Sequence, residues 1–169
     1  MKRKWNIFLS ILTACILILA YMFIEPYWLK ITYMEIRDGD IPNSFDGKRI
    51  VFVSDIHHGP FFSGKRVRNL VKKINNLNPD IIFVGGDYVE KGGQYIKPCF
   101  EELSGLKAPL GKYGVLGNHD YYRNGDLVRQ SMREAGITLL DNADLWITYG
   151  SGRIKVCGVG YFKRYLKPI

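Results

Sequence analysis

Three short polar blocks carry the residue types of a metal site. Asp55-Ile56-His57 places a carboxylate and an imidazole two positions apart, directly after the apolar run RIVFVS at Arg49 to Ser54. If the extended geometry persists, side chains at i and i+2 point to one locus. Gly86-Asp87 follows a second apolar run, and Gly117-Asn118-His119-Asp120 follows a third. Each block alone is weak, because an aspartate after a strand commonly caps a helix or closes a turn. Repeated at equivalent strand ends the three blocks are together specific, and imidazole beside carboxylate is a pairing that suits divalent transition metals.

The positioning elements follow from the periodicity between the blocks. Arg49 to Ser54, with its β-branched and aromatic residues, reads as a strand covered on both faces. Ser63 caps a helix to about Leu77, whose Val67, Leu70, Val71, Ile74 and Leu77 form one stripe, and Asn78-Pro79 ends it. Ile81 to Val84 is a second buried strand, Tyr95 to Leu106 a helix, and Lys112 to Leu116 a third strand. A helix over Asp126 to Ala135 then leads to a short strand at Ile137 to Leu139, and Leu145–Tyr149 with Arg153–Val159 form a hairpin about Gly150-Ser151-Gly152. Upstream, ITYMEIR at Ile31 to Arg37 reads as a further strand, and DGDIPNSFDGK at Asp38 to Lys48 as turn material. Strand, helix, strand in this order implies right-handed crossovers and a largely parallel sheet. Such a sheet binds ligands beyond the carboxyl ends of its strands, where Asp55, Asp87 and Asn118 fall.

The 169 residues suffice for one globular core. With 47% hydrophobic and 14% aromatic residues, the chain as a whole is not disordered. Cys15, Cys99 and Cys157 lack the spacing of a disulfide framework. Lys2, Arg3 and Lys4 precede twenty uncharged residues, Trp5 to Ile24, enough to span the hydrocarbon of a bilayer. The chain therefore divides into a basic flank at 1–4, a transmembrane signal anchor at 5–24, a linker at 25–30 and a domain at 31–169. The positive-inside rule keeps the amino terminus in the cytoplasm and sends the domain outward, at the cell membrane. A cleaved signal peptide is the main competing reading, although its apolar region would be unusually long. Leu12-Thr13-Ala14-Cys15 resembles a lipobox, which makes a lipoprotein anchored at Cys15 a minor alternative. Residues 25–169 hold 21 basic and 16 acidic residues, or +5, partly gathered at Lys163, Arg164 and Lys167. That excess suits anionic lipids or phosphorylated substrates, or is simply a solvated face. No zinc finger, arginine-rich arm or aromatic and basic interleave points to nucleic acid.

The three blocks resemble the first three signatures of the calcineurin-like metallophosphoesterases, in order, over about residues 31–160. Val53-Ser54-Asp55-Ile56-His57 and Phe83-Val84-Gly85-Gly86-Asp87-Tyr88-Val89 are similar to the membrane-associated bacterial branch. The resemblance implies an α/β fold, part of a four-layer α/β-β/α sandwich, and metal-dependent hydrolysis of a phosphate ester or pyrophosphate. It implies that Asp55 and His57 bind a first metal, that Asp87 bridges two, and that Asn118 binds the second. His119 would stand over the substrate phosphate, with Asp120 holding its far ring nitrogen. Imidazole with carboxylates favours Mn, with Fe or Zn as alternatives, over Mg or Ca. His58 takes no role from the resemblance and reads as a pocket-rim or surface histidine. Tyr88 and Tyr121 either line the mouth of the site or pack inside.

Histidine supply sets a further expectation. His57, His58 and His119 are the chain's three histidines. The family adds one after a glycine and a later Gly-His-x-His block, so the resemblance leaves the second metal with only Asp87 and Asn118. The expectation is an amino-terminal half of the domain, with a truncated or frameshifted gene, a split gene or a short functional variant as explanations. Val156 to Gly160 still resembles a family strand, whereas Tyr161 to Ile169 departs from the family pattern. Expected partners are membrane lipid, a phosphorylated small molecule or lipid-linked substrate, and a complementing carboxyl-terminal half. A catalytically inactive, membrane-tethered binding or accessory protein is the alternative function.

Overall fold

The computed structural model describes residues 2–24, 28–90 and 92–161. Part of the linker expected at 25–30, the residues Lys163, Arg164 and Lys167, and the departure expected after Tyr161 lie outside the described residues. The chain forms two units, residues 1–37 and 38–169.

In the first unit, α1 (Lys2–Ile24) runs for 23 residues without an internal glycine or proline. Its segment Arg3–Met22 is long and apolar enough to cross a membrane, a property that signal sequences share. The strand expected over Ile31 to Arg37 is not formed. A strand requires a hydrogen-bonded neighbour. None is paired with this segment among the described residues, and its Tyr33, Met34 and Ile36 are exposed.

The second unit is α/β. Strands β1 (Ile50–Val53), β2 (Ile81–Val84), β3 (Lys112–Gly114) and β4 (Thr138–Leu139) form a parallel sheet in sequential order. When every crossover is right-handed and advances in the same direction, the intervening helices fall on one face. Those helices are α2 (Gly64–Asn76), α3 (Ile96–Leu103) and α4 (Asn118–Glu134). Their Val67, Leu70, Ile74, Phe100, Leu103 and Met132 bury against Ile82 and Val84 of the sheet. On the opposite face, Ile81, Phe83 and Tyr113 meet Phe45 and a hairpin, β5 (Ala143–Tyr149) and β6 (Gly152–Gly158). The hairpin is a separate two-stranded sheet, packed through Leu145, Ile147, Ile154 and Val156. Helix, sheet and second sheet are three layers of the sandwich that the resemblance implied.

Two expectations are corrected. β1 is the edge of the sheet, not a strand covered on both faces: Val51 and Val53 pack toward the helices, but Ile50 and Phe52 are 46% and 69% exposed. The apolar residues of the hairpin gather over Ile81, Tyr113 and Leu140 and leave β1 bare. The last helix begins at Asn118 rather than at Asp126. Asn124, with extended backbone, breaks it into two segments, and its Oδ1 accepts the Leu127 N–H (3.1 Å) to start the second, which is the segment anticipated.

Candidate metal centre

The site is assembled by zipping together the loops that leave β1 and β2. Beyond the regular ladder, Asp55 N–H donates to Gly86 O (3.2 Å), His57 N–H to Asp87 O (2.9 Å) and His58 N–H to Tyr88 O (2.9 Å). Glu90 N–H then donates to His58 O (3.0 Å), and a parallel bridge joins His58 to Val89. Pairing in this zone is irregular because three of its residues are left-handed. Asp55, His57 and Asp87 have φ of 56°, 48° and 53°. The other non-glycine residues with positive φ are Asn78 and Asn142, a residue type that tolerates the region. Asp and His, like Asn, are enriched in this region, and it is the gathering of three such residues on two facing loops that sets this zone apart.

Asp55, His57 and Asp87 bring one ligand atom each within 4.8 Å of one another. His57 Nε2 lies 3.6 Å from Asp55 Oδ1 and 3.8 Å from Asp87 Oδ2. The set fits a divalent cation of the Mn, Fe or Zn kind: one imidazole nitrogen and two carboxylates from separate loops, half-exposed enough to admit an ion. His57 Nδ1 is 2.8 Å from Glu90 Oε2, off the line of a good hydrogen bond, so the contact is an electrostatic pairing. A carboxylate behind a ligating imidazole is the usual support of such a ligand.

The third loop closes over the second through glycines. Gly86, at φ 92°, packs on the Gly117 backbone, and a Cβ on Gly117 would run into the Asp87 carboxylate. Asp87 Oδ1 accepts the His119 N–H at 3.0 Å. Asn118 is half-buried at the first position of α4, and its amide makes no hydrogen bond among the described residues. The His119 ring stands edge-on to His57, with centroids 4.8 Å apart. Its Nδ1 lies 3.4 Å from Glu90 O and 3.8 Å from Glu90 Oε2. The charged partner behind His119 is therefore Glu90, not Asp120.

Asp120 does different work. Oδ2 accepts the N–H groups of Asp87 (2.8 Å) and Gly117 (2.9 Å), and Oδ1 that of Tyr88 (3.0 Å), so one buried carboxylate ties loop two to loop three. Burial raises its carboxyl to about 6, against those three N–H donors. His58 is also not a rim residue: it is buried, its Nδ1 is 2.7 Å from Phe62 O, and its ring packs on Tyr95. Tyr88 is fully buried against Phe100, and Tyr121 is half-buried with its OH donating to Asp141 (2.6 Å). Glu90 is the residue that sequence reasoning missed. Its one signal was an acid three positions beyond Asp87 on the same loop.

The calcineurin-like phosphoesterase family profile matches residues 48–164, which include all three ligand loops. The chain belongs to the calcineurin-like phosphoesterase family. It is 33% identical over 116 residues to the uncharacterized metallophosphoesterase YkuE of Bacillus subtilis (strain 168), covering 68% of this chain and 41% of that protein. An uncharacterized metallophosphoesterase of Aquifex aeolicus (strain VF5) is 32% identical over 125 residues, 74% of this chain and 48% of that one. A transmembrane protein with metallophosphoesterase domain from Danio rerio is 37% identical over 93 residues, 55% of this chain and 21% of that one. The chain thus spans less than half the length of these relatives.

Proposed function

We propose that this chain supplies one side of the metal site of a hydrolase of phosphate esters or pyrophosphates acting at a membrane surface, with Mn as the metal. The observation that carries the reading is the convergence of Asp55, His57 and Asp87, all in left-handed backbone, on one locus at the strand ends. Bound there, the cation supplies Lewis acidity toward water and phosphoryl oxygens. Asp55, the Nε2 of His57 and Asp87 would hold it, and Asn118 would offer its amide oxygen to a second metal.

Glu90 orients both imidazoles. Its carbonyl and carboxylate are acceptors, so His119 keeps a proton on Nδ1 and turns Nε2 to the substrate. Nε2 of the charged ring then gives its proton to the leaving oxygen. Asp120 keeps Asp87 and Gly117 in register and touches no substrate. The anchor at 5–24 holds the domain at the outer face of the cell membrane, where lipid head groups, lipid-linked pyrophosphates and phosphorylated small molecules are the accessible substrates. A polypeptide carrying Gly-His-x-His completes the second metal sphere.

Calorimetric titration of the chain with Mn tests this. Fewer than two equivalents should bind, Asp87→Ala should abolish binding, and His119→Ala should preserve it. Turnover of bis-p-nitrophenyl phosphate should be low alone and rise when the Gly-His-x-His polypeptide is added. Two tight sites, or robust Asp87-dependent turnover by the unassisted chain, would overturn the incomplete-sphere part of the reading. A second reading is a membrane-tethered binding or accessory protein, in which Asp55, His57 and Asp87 hold the cation without turnover. Mn binding without turnover under any complementation would establish it.

A further inference from the structure

The Glu90 carbonyl oxygen is a meeting point for two side chains. His119 Nδ1 lies 3.4 Å from it, and Arg123 Nε donates to it at 3.2 Å. Residues four apart on a helix share a face, and here they also share an acceptor, so a guanidinium stands beside the imidazole. Arg123 is exposed, and among the described residues it makes no ion pair. Arg123 takes a neutral carbonyl through Nε, while the carboxylate of the same residue, Glu90, goes to His57. The two terminal amines donate to none of the described residues. Their paired, parallel N–H groups match two oxygens of a phosphoryl group.

We propose that Arg123 forms a second phosphate subsite, for a phosphoryl group joined through oxygen to the one that reacts. The preferred substrate class is then a phosphoanhydride rather than a simple ester. The inference rests on the reading above, in which the metal lies at Asp55, His57 and Asp87 and His119 presents Nε2 to the reacting phosphate. Arg123 stands on the Nδ1 side of that ring, at the Glu90 carbonyl that the two share. A guanidinium so placed is offset from the reacting phosphorus and reaches its leaving group. A leaving group that is itself a phosphate gains a bidentate partner there, and an alcohol leaving group gains none.

The test is calorimetric binding of two non-hydrolysable probes, methylphosphonate and methylenediphosphonate, to the 169-residue chain in detergent with Mn in constant excess. The parent should bind the diphosphonate at least tenfold more tightly. Arg123→Gln should lose that factor and Arg123→Lys most of it, because an ammonium lacks the fork, while methylphosphonate and Mn affinities stay within twofold. Equal affinity for the two probes, failure of either to bind a Mn-loaded chain, or an Arg123→Gln effect that is absent or equal on both would overturn the subsite alone. Failure to bind Mn would overturn the metal-site reading and the subsite with it.

Discussion

At the scale of residues, the candidate metal ligands Asp55, His57 and Asp87 are held in left-handed backbone. A left-handed backbone costs a Cβ-bearing residue about 1–2 kcal/mol, which glycine escapes. Replacing Asp55, at φ 56°, should therefore reverse the usual order of substitutions. Asp55→Gly should be more stable than Asp55→Ala by about 1 kcal/mol, although glycine ordinarily loses to alanine through unfolded-state entropy. Thermal unfolding of both variants in metal-free buffer checks this; alanine proving the more stable would mean that position 55 is not left-handed. Tyr88 gives the complementary case. Its buried hydroxyl finds no partner among the described residues, and burial, chiefly, pushes its ionisation well above the ordinary tyrosine value. Tyr88→Phe removes an unsatisfied polar atom and keeps the ring on Phe100, so stability should hold or rise by up to about 1 kcal/mol. A clear loss in urea unfolding would reveal a hydrogen bond to that oxygen. The ligand blocks were legible in sequence because metal chemistry dictates residue types directly. The part Asp120 plays and the presence of Glu90 were not, since these rest on backbone N–H groups and imidazoles some thirty positions distant, brought near only by the pairing of loops.

At the scale of elements, hydrophobic runs revealed strands and helices but not their neighbours. The run at β1 has the composition of an interior strand, and composition is blind to strand order; Ile50 and Phe52 became exposed because β1 is last in line and the hairpin lies over the other strands. Ile31 to Arg37 alternates as a strand does, yet lacks a ladder. The edge strand is tied instead at its start. Asp80, just before β2, accepts the Arg49 N–H (2.8 Å) through Oδ2 and the Lys48 ammonium (3.1 Å) through Oδ1, so one carboxylate sets β1 against β2. Partial burial works against its charge, but the Arg49 N–H and then the Lys48 ammonium outweigh it and hold the carboxyl below its ordinary 3.8. A depressed carboxyl contributes stability above its unfolded value, lost as pH falls through the folded one. The contribution should thus be complete above about pH 5 and vanish progressively below pH 4. Asp80→Ala should lower stability by about 1–3 kcal/mol at pH 7 and by much less at pH 3. Unfolding curves for parent and variant at the two pH values check this, and a pH-independent difference would show that packing rather than charge anchors the edge.

At the scale of the whole molecule, the candidate chemistry and the apolar helix belong to separate units of one chain, linked covalently across residues 25–37, and topology decides which compartment the metal site samples. Two features of the sequence bear on it. The uncharged stretch at 5–24 lies in a helix that can cross a bilayer, and every charge before it is positive: Lys2, Arg3 and Lys4. Basic residues next to a spanning helix stay on the cytoplasmic side, because translocating them opposes the membrane potential and abandons the anionic inner leaflet. The domain should then be external. Alkaline phosphatase fused after Arg37 or at the carboxyl end should be active in a bacterial host, and green fluorescent protein at the same points dark. Reversing the three basic residues to glutamate should weaken this bias, a control that separates charge-directed orientation from a reporter artefact. Processing is resolved in the same experiment. An uncleaved anchor keeps an amino-terminal tag on the membrane-bound product, whereas signal peptidase action removes it. Globomycin-sensitive lipid labelling that disappears in Cys15→Ser would identify the lipoprotein route, with the domain still outside. A cytoplasmic signal from both fusion points would overturn the external placement and, with it, the assignment of lipid-linked and surface phosphates as the accessible substrates.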